Sequence, residues 1–148
     1  MPIRKDLRHF YIGKEYEETR SRIMQRAKDR CEQCAKRNHE EVETVSGVLV
    51  FSTRERRSFM FWRSFGGASW RDETGAAFPF SAMRDTDSAR VIRVVLTMAH
   101  LDHNPAHRDD DNLKMLCQWC HLNWDKLHHR ETRCNRKDAR RPILTEVA

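Results

Sequence analysis

The helical period is the first regular pattern along the chain. Between Glu15 and Asp29, five positions recur at intervals that place them on one stripe of a 3.6-residue helix. The stripe consists of Tyr16, Arg20, Ile23, Met24 and Ala27. The pattern predicts a helix that leads directly into the turn Arg30-Cys31-Glu32-Gln33-Cys34. We therefore expect residues 15–34 to form a helix followed by a cysteine-bearing turn.

Apolar and β-branched runs predict strands further along the chain. Residues 45–52 (VSGVLVFS) and 91–98 (VIRVVLTM) have the composition of strands, and residues 58–65 (SFMFWRSF) are aromatic and basic. Gly66-Gly67 and Gly75 indicate turns within the polar remainder. We interpret residues 35–90 as a β-rich insertion and not as a separate domain.

The last third of the chain carries a second cysteine-bearing turn. Asn112 to Cys117 leads into it, His121 to His129 has the pattern of a short helix, and the stretch from Arg130 to Arg141 is strongly basic. The elements together predict a single α+β domain over residues 1–148. Its expected parts are 15–34 (helix and first turn), 35–90 (insertion), 91–129 (core) and 130–148 (basic tail).

The composition favours a small core and a polyanionic partner. Hydrophobic residues make up 39% of the 148 residues and charged residues 34%, so we expect a metal to reinforce the fold. The net charge of +6 favours phosphate contacts, although solubility alone also explains mild basicity. Trp62 and the nearby phenylalanines are assigned to a local core, with stacking on nucleic acid as the alternative. The candidate nucleic-acid contacts are Arg54, Arg57, Arg63, Arg136 and Lys137.

The start of the chain predicts a cytoplasmic protein without a membrane segment. Met1-Pro-Ile-Arg-Lys is polar and no apolar signal segment follows it. No run reaches the roughly 18 apolar residues that a membrane helix needs. Cysteines in the cytoplasm usually stay reduced, which favours metal thiolates over disulfides.

Four of the five cysteines form two Cys-x-x-Cys pairs, Cys31/Cys34 and Cys117/Cys120. This spacing brings two sulfurs to one side of a tight turn, and two such turns complete the tetrahedron that zinc prefers. The alternative, a thioredoxin-like redox pair, lacks the βαβ pattern that would surround it. A closed four-thiolate site has no open position for substrate, so the zinc is predicted to be structural. Cys134 is expected to be a free thiol.

The loop between the predicted strand 91–98 and the second cysteine pair is rich in histidine, aspartate and asparagine. Residues 99–112 are AHLDHNPAHRDDDN, and His121 follows Cys120 directly. Such residues suit phosphodiester hydrolysis, in which an imidazole takes a proton from water and a carboxylate with another imidazole holds a divalent ion. An asparagine can orient the base by hydrogen bonding to the loop backbone.

Four stretches resemble the zinc-containing HNH endonucleases: Arg30 to Cys34, Ala99 to Pro105, Asn112-Leu113 and Leu116 to His121. The resemblance implies a ββα-metal finger, with Asn112 as the central asparagine and His121 as a ligand of the catalytic ion. It leaves two registers open for the base. Either His103 is the base and Asp102 a metal ligand, or His100 is the base because it directly ends the strand, and Asp102 or His103 replaces Ala99 as the metal ligand.

The resemblance therefore implies a metal-dependent endonuclease that hydrolyses DNA phosphodiester bonds. Its cofactors would be structural Zn²⁺ and catalytic Mg²⁺ or another divalent ion, and its partner would be the DNA backbone. The alternative is a zinc-binding module of phage or plasmid type. Such a module would keep the finger for stability and would bind nucleic acid or a protein partner without cutting.

Overall fold

The computed structural model describes residues 5–50, 56–79 and 88–138. A short 3-10 helix, Lys5–Tyr11, precedes helix α1 at Lys14–Arg26. The strands are β1 (Glu41–Val50), β2 (Arg56–Ser64), β3 (Trp70–Arg71), β4 (Ala77–Phe78), β5 (Arg90–Arg93), β6 (Leu96–His100) and β7 (Leu113–Cys117). Helix α2, Gln118–Asp138, follows β7 directly. The chain forms a small α+β fold, as predicted, and its two sheets are antiparallel.

Helix α1 confirms the helical stripe but ends earlier than predicted. Ile23 and Ala27 are buried, whereas Arg20 is exposed. Lys28 and Asp29 have φ values of 52° and 56°, and these left-handed conformations end the helix before the first cysteine pair. The chain then turns sharply towards the sheets.

Residues 41–93 contribute a five-stranded antiparallel sheet in the order β4-β3-β2-β1-β5. In the β1–β2 register Val42 lies opposite Ser64 and Thr44 lies opposite Trp62. Met60 and Trp62 are two residues apart on one face of β2, and both are buried in the main core. The assignment of Trp62 to a core is therefore confirmed.

The prediction of one strand over residues 91–98 is wrong. The run divides into β5, which pairs with β1, and β6, which pairs with β7 in a separate two-stranded sheet. The chain passes from one sheet to the other at Val94, which is fully buried and whose backbone N–H and carbonyl bond to Glu40 and His39. Because the run is apolar almost throughout, its composition contains no signal of the change of sheet.

β6, β7 and α2 form a hairpin followed by a helix. His100 pairs with Leu113 at the loop end of the hairpin, and Leu96 pairs with Cys117 at its open end. Helix α2 has 21 residues and continues well beyond the predicted end at His129, into the segment described above as a tail. The long loop between β6 and β7 thus lies beside the first turns of α2.

One hydrophobic core joins the two sheets and α1. It includes Val42 and Trp62 from the large sheet, Leu96 and Met115 from the hairpin, and Ile23 from α1. The four paired cysteines belong to the same cluster. The cysteine site is therefore built into the centre of the fold.

Candidate metal centre and histidine site

The two cysteine pairs meet although they are far apart in the chain. Cys31 and Cys34 lie in the turn after α1, Cys117 ends β7, and Cys120 lies in the first turn of α2. All four are buried, and their sulfurs lie within 4.8 Å of one another. Within the described part of the chain they are the one group of three or more His, Cys, Asp or Glu side chains gathered this closely.

The spacing of the sulfurs fits a tetrahedral metal ion. The Sγ atoms of Cys34 and Cys117 are 3.7 Å apart. Four sulfurs at about 2.3 Å from a zinc ion would be separated by about 3.8 Å, whereas a disulfide would need about 2.05 Å. The four cysteines could therefore hold a metal ion such as zinc.

Hydrogen bonds among the sulfurs shift the pKa values of the cysteine thiols in opposite directions. Hydrogen bonding from Cys117 lowers the pKa of the Cys31 thiol far below its ordinary range, with smaller contributions from Cys120 and Cys34. Hydrogen bonding to Cys117 raises the pKa of the Cys120 thiol. Thiolates this close repel one another, so a cation bound between the sulfurs would favour the deprotonated form of all four.

Backbone contacts fix the first cysteine pair against β7. The backbone N–H of Glu32 donates to the carbonyl of Met115 at 2.9 Å, and the Met115 N–H donates to a carboxylate oxygen of Glu32 at 2.6 Å. The backbone N–H of Cys117 donates to the Sγ of Cys31 at 3.3 Å. The sulfurs are thus positioned by the hairpin as well as by their own turns.

The insertion also touches the metal centre. Gly75, between β3 and β4, has φ +88°, and a Cβ atom there would lie 2.8 Å from the carbonyl oxygen of Cys34. Only glycine fits both this conformation and this approach without displacing the first cysteine turn. The sequence marked Gly75 as a turn residue, but it contained no signal that the turn reaches the cysteines.

Asn112 holds the loop between β6 and β7. Its side-chain amide donates to Asp102 Oδ1 at 2.9 Å and to the carbonyl of His107 at 3.0 Å. Its side-chain oxygen accepts a hydrogen bond from the backbone N–H of Asp102 at 3.1 Å. Asn112 is buried, so these three bonds fasten both ends of the loop to a single side chain.

Replacing Asn112 by alanine is expected to lower the free energy of unfolding by about 1–3 kcal/mol, because it leaves buried loop groups without partners. Urea denaturation followed by circular dichroism measures this change. Asn123→Ala, at an exposed position on α2, is the matched control and should shift stability by less than about 0.5 kcal/mol. Equal stability of the two variants would mean that Asn112 does not hold the loop.

Asp102 takes part in the same loop network. Its Oδ1 accepts from the backbone N–H of Asn104 at 2.9 Å, and its Oδ2 lies 2.7 Å from Nδ1 of His107. The hydrogen bond from the Asn104 N–H has the largest effect on the pKa of Asp102. Together with the bonds from Asn112 and His107, it holds this pKa well below its usual range. Bonding to Asp102, and then to Asp109, raises the pKa of His107. Both oxygens of Asp102 are thus engaged inside the loop.

Helix α1 supports the loop from outside. Arg22 forms a bidentate ion pair with Asp110, with its shortest nitrogen–oxygen distance at 2.7 Å. Arg26 donates to the carbonyls of Asp110 and Leu113 and pairs with Glu32. The helix that precedes the first cysteine pair therefore also fixes the loop that ends at Asn112.

His100 ends strand β6 and is partly covered by the N-terminal segment. The ring of Tyr11 meets the ring of His100 edge-on at 6.2 Å between centroids. Burial lowers the pKa of His100, and the positive charge of Arg108 lowers it further. A lowered pKa keeps the imidazole neutral at pH 7, which is the form that can accept a proton.

His103 and His121 both reach Asp125. His103 Nδ1 lies 3.2 Å from one carboxylate oxygen of Asp125, and His121 Nε2 lies 3.3 Å from the other. The second ring nitrogen of His121 bonds to the hydroxyl of Thr97 at 2.7 Å. His103 has φ 60°, an uncommon conformation for a non-glycine residue, and its ring stacks on His128.

The loop thus brings one imidazole to the Asp125 carboxylate, and the helix brings that of His121 and, at 3.8 Å, that of His129. Imidazole and carboxylate are a donor set that suits divalent ions. The helical spacing of His121 and Asp125 shows in the sequence, whereas the approach of His103 to Asp125 does not. Tyr11 lay in a segment without a recognisable pattern, and its place beside His100 was missed.

The candidate nucleic-acid contacts fall into three groups. Arg63 pairs with Glu43 and lies 4.8 Å from the ring centroid of Trp70. Arg57 belongs to β2, and Arg136 and Lys137 belong to α2, but the side chains of these three lie outside the described part. Arg54 lies outside the described residues altogether. The structure therefore leaves the contact of these residues with DNA as a prediction.

No known protein family, curated protein or solved structure matches this chain. In the described ranges, none of the helices is both long enough and apolar enough to cross a membrane.

Proposed function

We propose that this chain is a metal-dependent endonuclease of the HNH type, which hydrolyses DNA phosphodiester bonds and holds a structural zinc on its four paired cysteines. The observation that carries the proposal is the meeting of His103 and His121 on Asp125. This meeting occurs beside a hairpin whose loop is fastened by Asn112. The strand–loop–strand–helix order follows the resemblance drawn from the sequence.

In this proposal the zinc serves the fold. Four thiolates complete its coordination, so none of its positions remains for water or substrate. The first cysteine pair is bonded to β7, and α2 starts between Cys117 and Cys120. Metal binding therefore keeps the hairpin and the helix in the arrangement that brings His103 to Asp125.

His100 is the proposed general base. It stands at the strand end, and its pKa is lowered by burial. A neutral imidazole there takes a proton from the attacking water. Asn112 keeps the loop after His100 in place, so the direction in which the imidazole faces is maintained during the reaction.

His103, His121 and Asp125 are the residues that would hold the catalytic ion. When bound, a divalent ion at this site would neutralise charge on the scissile phosphate and on the leaving oxygen. Thr97 fixes the ring of His121 through its Nδ1, which leaves Nε2 facing Asp125. The carboxylate ligand is thus assigned to Asp125, because the oxygens of Asp102 are used within the loop.

A second candidate is a binding module that retains the finger without cutting. The engagement of Asp102 in the loop favours it, since the resemblance places that carboxylate at the ion in one of its two registers. Such a module would bind DNA through its basic surface and would not depend on a second divalent ion.

Cleavage of supercoiled plasmid separates the two candidates. Zinc-loaded protein with Mg²⁺, Mn²⁺ or Ni²⁺ is expected to nick or linearise the plasmid, and His121→Ala is expected to lose this activity while it retains zinc. Asn123→Ala, two positions along α2, is the matched control. DNA binding without cleavage under every ion would support the binding module. Cleavage that persists in His121→Ala would contradict the proposed ion site.

A further inference from the structure

Lys36 is a buried lysine without a carboxylate partner in the described part of the chain. Its exposed fraction is 1%. Its Nζ lies 3.3 Å from the sulfur of Met60 and 5.4 Å from the ring centroid of Trp62. A thioether is a weak acceptor, and a cation over an indole ring recovers only part of the hydration that an ammonium loses on burial. Burial of this charge therefore needs a further anionic partner.

The four-cysteine site, once it holds zinc, would supply that anion. Lys36 lies two positions after Cys34, and its carbonyl accepts a hydrogen bond from the Cys31 N–H at 2.8 Å. Met60 and Trp62, which enclose its ammonium, belong to the same buried cluster as the four cysteines. A zinc ion with four thiolates has a net charge of about −2, and here that charge would be buried. A positive charge enclosed with it lowers the cost of its desolvation.

We propose that Lys36 is the buried counter-ion of the zinc–thiolate centre and that it strengthens the retention of the metal. The inference rests on the zinc part of the proposed function and does not depend on DNA cleavage. The counter-ion role also explains why the ammonium can be enclosed by Met60 and Trp62. Without an anion nearby, burial of its charge would cost free energy. The effect is on metal affinity and on the rate of metal release.

The test is chelator competition on the zinc-loaded full chain. Lys36→Met replaces the ammonium with an apolar side chain of similar length, and we expect zinc affinity to fall about 10–100-fold, with correspondingly faster release. Lys28→Met, an exposed lysine in the turn before the first cysteine pair, makes the same change in net charge and should leave release within about twofold. Co²⁺ substitution shows by thiolate absorption that the four sulfurs still bind in the variant.

Two further variants test the counter-ion role if Lys36→Met does not fold. Lys36→Arg retains the charge and should release zinc more slowly than Lys36→Gln, which retains only a polar end. Equal release by the Arg and Gln variants, or unchanged release by Lys36→Met, would overturn the counter-ion role. Failure of the wild-type chain to bind zinc would instead remove the metal centre itself, so the two failures are distinguishable.

Discussion

Cys117→Ser is expected to abolish tight zinc binding and with it the cooperative unfolding transition. Cys117 ends β7, belongs to the buried core, and its N–H donates to the sulfur of Cys31. Structural zinc sites contribute about 10–16 kcal/mol to folding at pH 7, which exceeds the net stability of a typical small domain. Loss of one thiolate from a closed site should therefore cost most of the stability.

The measurement combines zinc content by mass spectrometry with thermal unfolding by circular dichroism. Cys134→Ser is the matched control, because Cys134 is exposed on α2 and belongs to neither pair. This control should retain its zinc and should change the free energy of unfolding by less than about 0.5 kcal/mol. Tight zinc binding and an unaltered melting temperature in Cys117→Ser would contradict the four-cysteine centre.

His100→Ala is expected to lower the single-turnover rate of DNA cleavage by about 10²–10⁴-fold at saturating divalent ion. The substitution removes the proposed base but leaves His103, His121 and Asp125 unchanged. Zinc content and DNA affinity should therefore stay near those of the wild-type chain. His9→Ala is the control, since His9 is an exposed histidine of the N-terminal 3-10 helix.

Comparison of His103→Ala with His100→Ala decides which of the two histidines is the base and which one holds the ion. If His103 holds the ion, its loss should raise the ion concentration needed for half-maximal cleavage, and added Mn²⁺ should restore part of the rate. His100→Ala should show no such recovery. The reverse pattern would make His103 the base and would restore the register in which Asp102 is the ligand.

The cysteine spacing and the helical stripe gave the most reliable predictions. Each Cys-x-x-Cys pair forms within its own turn, so local sequence was sufficient to identify it, and the meeting of the pairs is now seen in the structure. The stripe on α1 was confirmed for Ile23 and Ala27 because burial follows helical period directly. The end of the helix depended on the left-handed backbone conformations of Lys28 and Asp29, and neither residue type is a strong sequence signal for that conformation.

The prediction of a single strand over residues 91–98 was wrong. The composition of this run fits a strand at every position, but Val94 bonds to both Glu40 and His39 and sends the chain into a second sheet. Such a change depends on partners more than 50 positions away in the chain. Residues 35–90 were predicted to be a β-rich insertion within the same domain, but the sequence contained no signal that Gly75 packs on the backbone of Cys34.

The amino-acid order alone determined that four cysteines would lie in two turns whose spacing suits a metal ion, and that histidine, aspartate and asparagine would gather in the loop before the second turn. Those properties depend on residues close together in the chain. Tertiary structure decided that His103 reaches Asp125, that Asp102 bonds to Asn112, and that Lys36 is enclosed by side chains of the large sheet. These contacts join different elements, and their distances follow from the packing of α1, the hairpin and α2 around one core.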